Sequence, residues 1–437
     1  MDWLILYELN VYLTKKNYMK KKLFSVFAIA LIMAGCSKND IDNVKPQDLS
    51  DKNVNVQADS SKKATAEGNA SIDASAVQQT IKGFGGANIV AWTGDLTSAQ
   101  RTTAFSPTNG IGLSIVRVRV PNSSSEFAAE KATIDACKSF GGSAIASAWS
   151  APASMKTNGS IVGGKINTGS YGAYAAHLSA FNSAVGGLAA ISPTNEPDYK
   201  VNYESMELTA SEVADFVAAQ GSNCGAPIMA PEPFQMNQSY INTYLSNATA
   251  KSKTSFVCGH IYGKTPYNLG NVGKPVWMTE HYTNSSISGD DWANAMNAAK
   301  EIHDCMNAGW SAYVWWYIRR SYGPMSESGN IQKVGYVMAH YARYVRPGYS
   351  KISCTSNPTP GVYVTAYKSG SKLVIVIVNQ NNAVTYQTFG YSGISVSGFN
   401  RYVTTSTSNL ASNSLTVSGG NFGINLAASS VTTLVSN

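Results

Sequence analysis

From Ser71 onward, short apolar runs alternate with longer stretches of helical spacing. Eight runs read as strands: residues 80–87, 113–120, 144–149, 189–194, 228–231, 255–262, 276–280 and 312–317. Between them, residues 126–139, 171–185, 210–220, 238–247 and 292–308 read as helices. Strand and helix in strict alternation imply parallel strands joined by crossover helices. Eight such strands predict a closed (β/α)8 barrel rather than an open, doubly wound sheet. After Arg346 the pattern changes. Residues 361–367, 372–379, 383–388, 401–405, 414–417 and 429–435 alternate apolar and polar positions between Gly, Asn and Ser. That predicts an antiparallel β-sandwich, to which residues 69–80 add a strand. The expected organisation is a barrel over 71–345 and a sandwich over 346–437.

The first 70 residues follow neither pattern. Met19-Lys20-Lys21-Lys22 leads into an apolar run, 23–33, of signal-peptide length and too short to span a bilayer. The run closes on Met33-Ala34-Gly35-Cys36, which resembles a bacterial lipobox. The resemblance implies cleavage before Cys36, acylation of its thiol and an extracytoplasmic, lipid-anchored protein that meets the membrane only through that anchor. Residues 1–36 are then a leader, with Met19 the expected start and 1–18 an upstream extension. Residues 37–70 are almost free of large apolar side chains and read as a flexible tether.

Composition sharpens the picture in three places. Hydrophobic residues are 44% and charged residues 14% of the chain, which gives a buried core and a surface rich in Ser, Thr, Asn, Gly and Tyr. The net charge of +7 includes Lys15, Lys16, Lys20, Lys21 and Lys22 of the leader, and no later cluster forms a phosphate-binding stripe, which argues against nucleic acid. Cys137, Cys224, Cys258, Cys305 and Cys354 match neither a zinc pattern nor a compact disulfide framework and read mostly as small buried apolar residues. Gly83-Phe84-Gly85-Gly86 lacks the spacing of a dinucleotide fingerprint, and no His/Asp cluster has ligand spacing, so neither cofactor nor metal is expected.

In such a barrel, functional groups sit where strands end. Two carboxylates do so: Glu196, after Ile191-Ser192-Pro193-Thr194-Asn195, and Glu280, after Val276-Trp277-Met278-Thr279. A charge closing an apolar strand costs desolvation, so each is a candidate for chemistry. Glycosidic cleavage needs such a pair, one to protonate the leaving oxygen and one to attack the anomeric carbon. The fourth and seventh strands face each other across the barrel mouth. Asn195 is placed to bond a sugar 2-hydroxyl, Trp149 ends the third strand as a sugar-stacking wall, and Trp92 follows the first. His260 and His281 read as hydrogen-bonded structural residues.

Three stretches in order are similar to glycoside hydrolase family 30, in its bacterial glucuronoxylanase subfamily. They are Thr194-Asn195-Glu196-Pro197-Asp198-Tyr199, Trp277-Met278-Thr279-Glu280-His281-Tyr282, and Trp315-Trp316-Tyr317-Ile318-Arg319-Arg320-Ser321-Tyr322-Gly323. The likeness runs from Ser71 to the C-terminus. It implies a retaining endo-β-1,4-xylanase with Glu196 as acid/base and Glu280 as nucleophile, acting on glucuronoxylan. It also implies that Arg320 grips the uronate carboxylate beside Tyr317, Tyr322 and Ser285, with Tyr282 and Trp316 on the substrate and Arg319 structural. A guanidinium can take a carboxylate bidentately while hydroxyls fill its other lone pairs. Tyr262 resembles the tyrosine that bonds the nucleophile. Arg117 resembles the arginine that orients it, though Arg119 shares its strand face. Ala151-Pro152 departs from the two prolines usual after the third strand. A monomer is expected. Two other readings remain open: a hydrolase of another β-glycan, and a surface lipoprotein that binds glycan without cutting it.

Overall fold

A computed structural model describes residues 68–437. The leader, Cys36 and the tether up to residue 67 lie outside the described residues. The first strand, β1 (Asn69–Thr80), precedes the barrel. Eight parallel strands then close on themselves: β2 (Gly83–Ala87), β3 (Ile115–Arg119), β4 (Ser143–Ser147), β5 (Ala190–Ser192), β6 (Ile228–Pro231), β7 (Thr254–His260), β8 (Val276–His281) and β9 (Ala312–Trp315).

Strand alternation divides each run between two cores. Outward residues such as Phe84, Val116, Ile191, Val257 and Met278 pack with the surrounding helices. Inward residues including Ile115, Ile145, Met229, Phe256, Trp277 and Val314 fill the barrel with an apolar plug. Two residues further along, on the same inward face, stand Arg117, Ser147, Ser192 and Thr279, all buried. A polar layer therefore caps the plug at the C-terminal end of the strands. Gly85 lets β2 approach β3, since a Cβ there would lie 2.3 Å from the Ile115 carbonyl oxygen.

The helices depart from expectation in places. The helix expected over 126–139 is a 3-10 turn, Ser124–Glu130, followed by an α-helix, Lys131–Ser139. Helices Ser98–Phe105 and Lys333–Ala342 were not anticipated. The first is started by a capping box between Thr97 and Gln100. No helix among the described residues is long and apolar enough to cross a membrane.

The remaining strands are β10 (Ser350–Cys354), β11 (Val362–Ser369), β12 (Lys372–Asn379), β13 (Thr385–Ser392), β14 (Gly398–Thr404), β15 (Ala411–Thr416), β16 (Asn421–Leu426) and β17 (Ser430–Ser436). With β1 they form one nine-stranded sheet in the order β15-β14-β17-β12-β11-β10-β1-β13-β16. It is not wholly antiparallel: β1 runs parallel to β13 and antiparallel to β10. The sheet folds over its own apolar face, for Phe399 of β14 meets Phe422 of β16 at 5.3 Å although they stand near opposite ends of the order. Strand β12 is apolar from Leu373 to Val378 because both its faces are covered. Leu373, Ile375 and Ile377 face the sandwich core, while Val374, Val376 and Val378 join the core shared with helices Trp292–Asn307 and Lys333–Ala342. His340 is locked into that junction, bonded to Thr404 and Thr433 hydroxyls at 2.8 Å each; burial takes its pKa down to about 3, so it is neutral. All five described cysteines are unpaired, and four are buried.

Candidate active site

Arg117 organises the polar layer. It is fully buried. Its Nη1 donates to Glu280 Oε2 at 2.5 Å, its Nη2 to Asn195 Oδ1 at 2.6 Å and Glu232 Oε1 at 3.0 Å, and its Nε to Ser147 Oγ at 3.1 Å. Arg119, one step up the same face, does something else. Its Nε reaches both oxygens of Glu204 at 3.0 Å, and its guanidinium lies 5.7 Å from the Trp92 ring. The two arginines that alternation leaves equivalent are thus separated, with Arg117 on Glu280.

Glu280 points inward because β8 is irregular. Thr279 already faces the barrel, donating to Glu232 at 2.9 Å, so regular alternation would turn Glu280 out. The pairing of β8 with β9 shifts register between Met278 and His281, and the pairing with β7 shifts between Gly259 and His260. The extra residue re-aims the side chain. Tyr262 OH then donates to Glu280 Oε1 at 2.8 Å. Glu196 lies just beyond β5 with φ +46°, a left-handed conformation uncommon outside glycine, and its N–H bonds the Glu232 carbonyl at 3.0 Å. Strain of this kind clusters at functional sites.

Two residues outside the predicted site sit at its centre. Glu232 follows β6, also at positive φ, and is fully buried. His260, expected to be structural, bridges Glu196 and Glu232, with Nδ1 2.6 Å from Glu196 Oε1 and Nε2 3.4 Å from Glu232 Oε1. Burial opposes a charge on His260, but Glu280, Glu196 and Glu232 outweigh it and raise its pKa to about 9. Burial likewise opposes the Glu232 carboxylate, yet Arg117 and His260 bring its pKa down to about 2. Burial raises the Glu196 carboxyl above its ordinary range, with Glu280 adding to the rise and His260 opposing it. A carboxylate oxygen from each of Glu196 and Glu280, with a ring nitrogen of His260, lie within 4.8 Å of one another. Such a trio could ligate a cation, but Arg117 and Tyr262 already engage both Glu280 oxygens, and the guanidinium opposes a second positive charge.

The pair opens into a cavity of about 590 Å³ with aromatic walls. On one side Trp92, Trp149 and Trp316 cluster, their centroids 5.1 to 6.2 Å apart. Trp149 is almost buried and lies 4.7 Å from the Arg117 guanidinium, whereas Trp92 stands well exposed. On the other side Tyr199 stacks on Phe234 at 4.0 Å, and Phe234 on Tyr262 at 5.4 Å. Tyr282 packs between Tyr262 and Tyr322, 5.2 Å from each, and Tyr317 lines the floor. Arg320 lies 5.2 Å from the Tyr317 ring and makes a partly exposed ion pair with Glu327 at 3.3 Å. Burial raises the Tyr322 hydroxyl to about 12 even with Arg320 opposing the rise. Ser285 is exposed on the loop after β8 and makes no side-chain hydrogen bond among the described residues. Arg319 is tied to Gln100, Thr93 and Asp95 instead of facing the cavity. Tyr199, Tyr203, Glu204 and Phe234 line the cavity without having been anticipated.

No protein-family model matches the chain. Two curated relatives are each named Glucuronoxylanase XynC. The one from Bacillus subtilis (strain 168) is 40% identical over 393 residues, covering 85% of this chain and 92% of that protein. The other, from Bacillus subtilis, is 40% identical over 391 residues with the same coverage. Among solved structures, the family 30 subfamily 8 xylanase Xyn30A from Clostridium acetobutylicum matches with a TM-score of 0.78 and 33% identity, over 84% of this chain and 99% of that one. A family 30 endoxylanase from Clostridium papyrosolvens C71 matches with a TM-score of 0.77 and 31% identity, over 84% of this chain and all of that one.

Proposed function

Because the chain belongs to glycoside hydrolase family 30, in its bacterial glucuronoxylanase subfamily, we propose that it cuts glucuronic-acid-substituted xylan internally at β-1,4 linkages, with retention. The observation that carries the mechanism is the spacing of Glu196 and Glu280, oxygens within 4.8 Å in one aromatic cavity. A separation of about 5 Å suits a covalent double displacement, whereas inversion needs about 6.5–9.5 Å to seat a water.

The roles follow from the hydrogen bonds. His260 occupies Glu196 Oε1, which leaves Oε2 to carry the acid proton. That proton goes to the departing sugar oxygen while Glu280, held by Arg117 and Tyr262, attacks the anomeric carbon. Water then hydrolyses the glycosyl ester, with Glu196 accepting its proton. Asn195 Oδ1 is engaged by Arg117, so its free Nδ2 is the end available to a sugar 2-hydroxyl. Arg320, beside Tyr317 and Tyr322, takes the uronate carboxylate in exchange for Glu327. Outside the described residues, the lipobox-like Met33–Cys36 run supports a lipid-anchored, extracytoplasmic enzyme.

Product analysis on glucuronoxylan and on arabinoxylan lacking uronate tests the specificity. Cleavage of the first alone, with one uronate per released oligosaccharide, is expected. Arg320→Ala should lower kcat/KM on glucuronoxylan by about 10- to 100-fold, the worth of hydrogen bonds to a charged group. The slow rate on undecorated xylan should not change. Equal losses on both substrates would remove Arg320 from uronate recognition.

A further inference from the structure

Glu232 sits at the centre of the site, yet the chemistry above does not use it. It is fully buried and is not among the residues that line the cavity, so it does not touch substrate. Its Oε1 faces four groups at once: Arg117 Nη2 at 3.0 Å, Thr279 Oγ1 at 2.9 Å, Ser147 Oγ at 3.1 Å and His260 Nε2 at 3.4 Å. Donors converging in this way hold a carboxyl in its ionised form.

His260 is equally buried and stands between three carboxyl groups. Its Nε2 faces Glu232, while its Nδ1 lies 2.6 Å from Glu196 Oε1 and 4.0 Å from Glu280 Oε1. A neutral imidazole has one N–H and can donate on one side only; an imidazolium donates on both. The charges around the ring favour the imidazolium. With the acid proton on Glu196, the carboxylates of Glu232 and Glu280 face the cations of Arg117 and His260, and the buried layer is neutral. A neutral ring would leave that layer with an unbalanced negative charge, which burial penalises.

We propose that Glu232 is a positioning residue for the acid proton. It keeps His260 a donor on both sides, so that Glu196 Oε1 can only accept and the proton stays on Oε2, the oxygen left free for the departing sugar. Without the Glu232 charge the balance inverts. The layer is then neutral with a neutral ring, and the bare Nδ1 of that ring draws the Glu196 proton onto Oε1. The proton is still in the site, but it is bonded to the histidine instead of facing the sugar oxygen. The inference rests on Glu196 being the general acid.

The test compares two substrates with the same uronate-substituted xylosyl part. One is glucuronoxylan, whose leaving sugar needs a proton. The other is a dinitrophenyl glycoside of a uronate-substituted xylo-oligosaccharide, whose leaving group does not. For both, kcat/KM reports the step in which Glu280 attacks. Glu232→Gln keeps the shape of the side chain and removes its charge. Its kcat/KM should fall about 10- to 100-fold further on glucuronoxylan than on the aryl glycoside, a large part of what a general acid contributes. Equal losses on both would overturn the proposal, because a disturbed Arg117 slows the Glu280 attack on either substrate alike. So would an undiminished rate on glucuronoxylan. A Glu196→Ala enzyme with equal losses on the two substrates would instead remove the acid assignment on which the proposal rests. If Glu232→Gln does not fold, nitrogen NMR of the histidine rings in the wild type decides. The chain has five histidines, and the His260 signals are those missing from His260→Gln. At neutral pH both His260 nitrogens should carry protons, and a bare Nδ1 would overturn the proposal.

Discussion

At the scale of residues, the site is a charge network rather than two isolated glutamates. Glu232 and Arg117 neutralise each other where neither reaches water, and His260 ties Glu232 to Glu196. Glu232 has its pKa lowered from 4.5 to about 2, so its stabilising contribution is present above pH 4.5 and is lost as pH falls towards 2. His260 has its pKa raised from 6.5 to about 9, so its contribution is complete below pH 6.5 and is lost as pH rises through 9. Glu232→Gln leaves Arg117 partly unpaired in the interior, which should cost about 3–5 kcal/mol. Denaturant unfolding should show that gap widest near pH 5–6 and narrower towards both extremes; a gap independent of pH would contradict the network. Glu196 and Glu280 were legible because each closes an apolar strand. The same criterion at Ile228-Met229-Ala230-Pro231 points at Glu232. His260 was less legible, since a histidine on an apolar strand has the same local pattern whether it bonds a backbone carbonyl or, as here, the Glu196 carboxyl.

At the scale of elements, irregularities set the chemistry. The register shifts on either side of β8 turn Thr279 and Glu280 into the barrel together, which no period-two pattern encodes. That is why the strand was readable and the direction of its last residues was not. Gly85 is a second case, where a barrel strand needs no side chain at all. Gly85→Ala would place a Cβ 2.3 Å from the Ile115 carbonyl oxygen and 2.6 Å from its Cβ, forcing β2 away from β3. The expected cost is about 1–3 kcal/mol, read by denaturant unfolding, and an unchanged midpoint would show that the strands can part freely. Strands β10 and β16 escaped the sequence reading for another reason. Asn421-Phe422-Gly423-Ile424-Asn425-Leu426 carries two Asn and a Gly, and only Ile424 and Leu426 are buried. Its place in the sheet comes from pairing with β13, not from its own composition.

At the scale of the molecule, the sandwich and the barrel share one core. The strand before the barrel and the strands after it belong to one sheet, so the chain leaves the sandwich, builds the barrel and returns. The valines of β12 pack on helices Trp292–Asn307 and Lys333–Ala342, which lie against β9 and β2 of the barrel. That arrangement was half legible: the change of grammar after Arg346 is visible in sequence, but the covered second face of β12 appears only as an unbroken apolar run. All of this converges on two carboxylates at one barrel mouth, with an oxygen of each within 4.8 Å of the other, a spacing that suits the proposed double displacement. The most direct test is proton NMR of the anomeric signals in the first seconds of glucuronoxylan hydrolysis. The account predicts that the β-anomer of the new reducing end appears first and then mutarotates. Initial release of the α-anomer would mean single displacement by water, and would contradict the assignment of Glu280 as nucleophile.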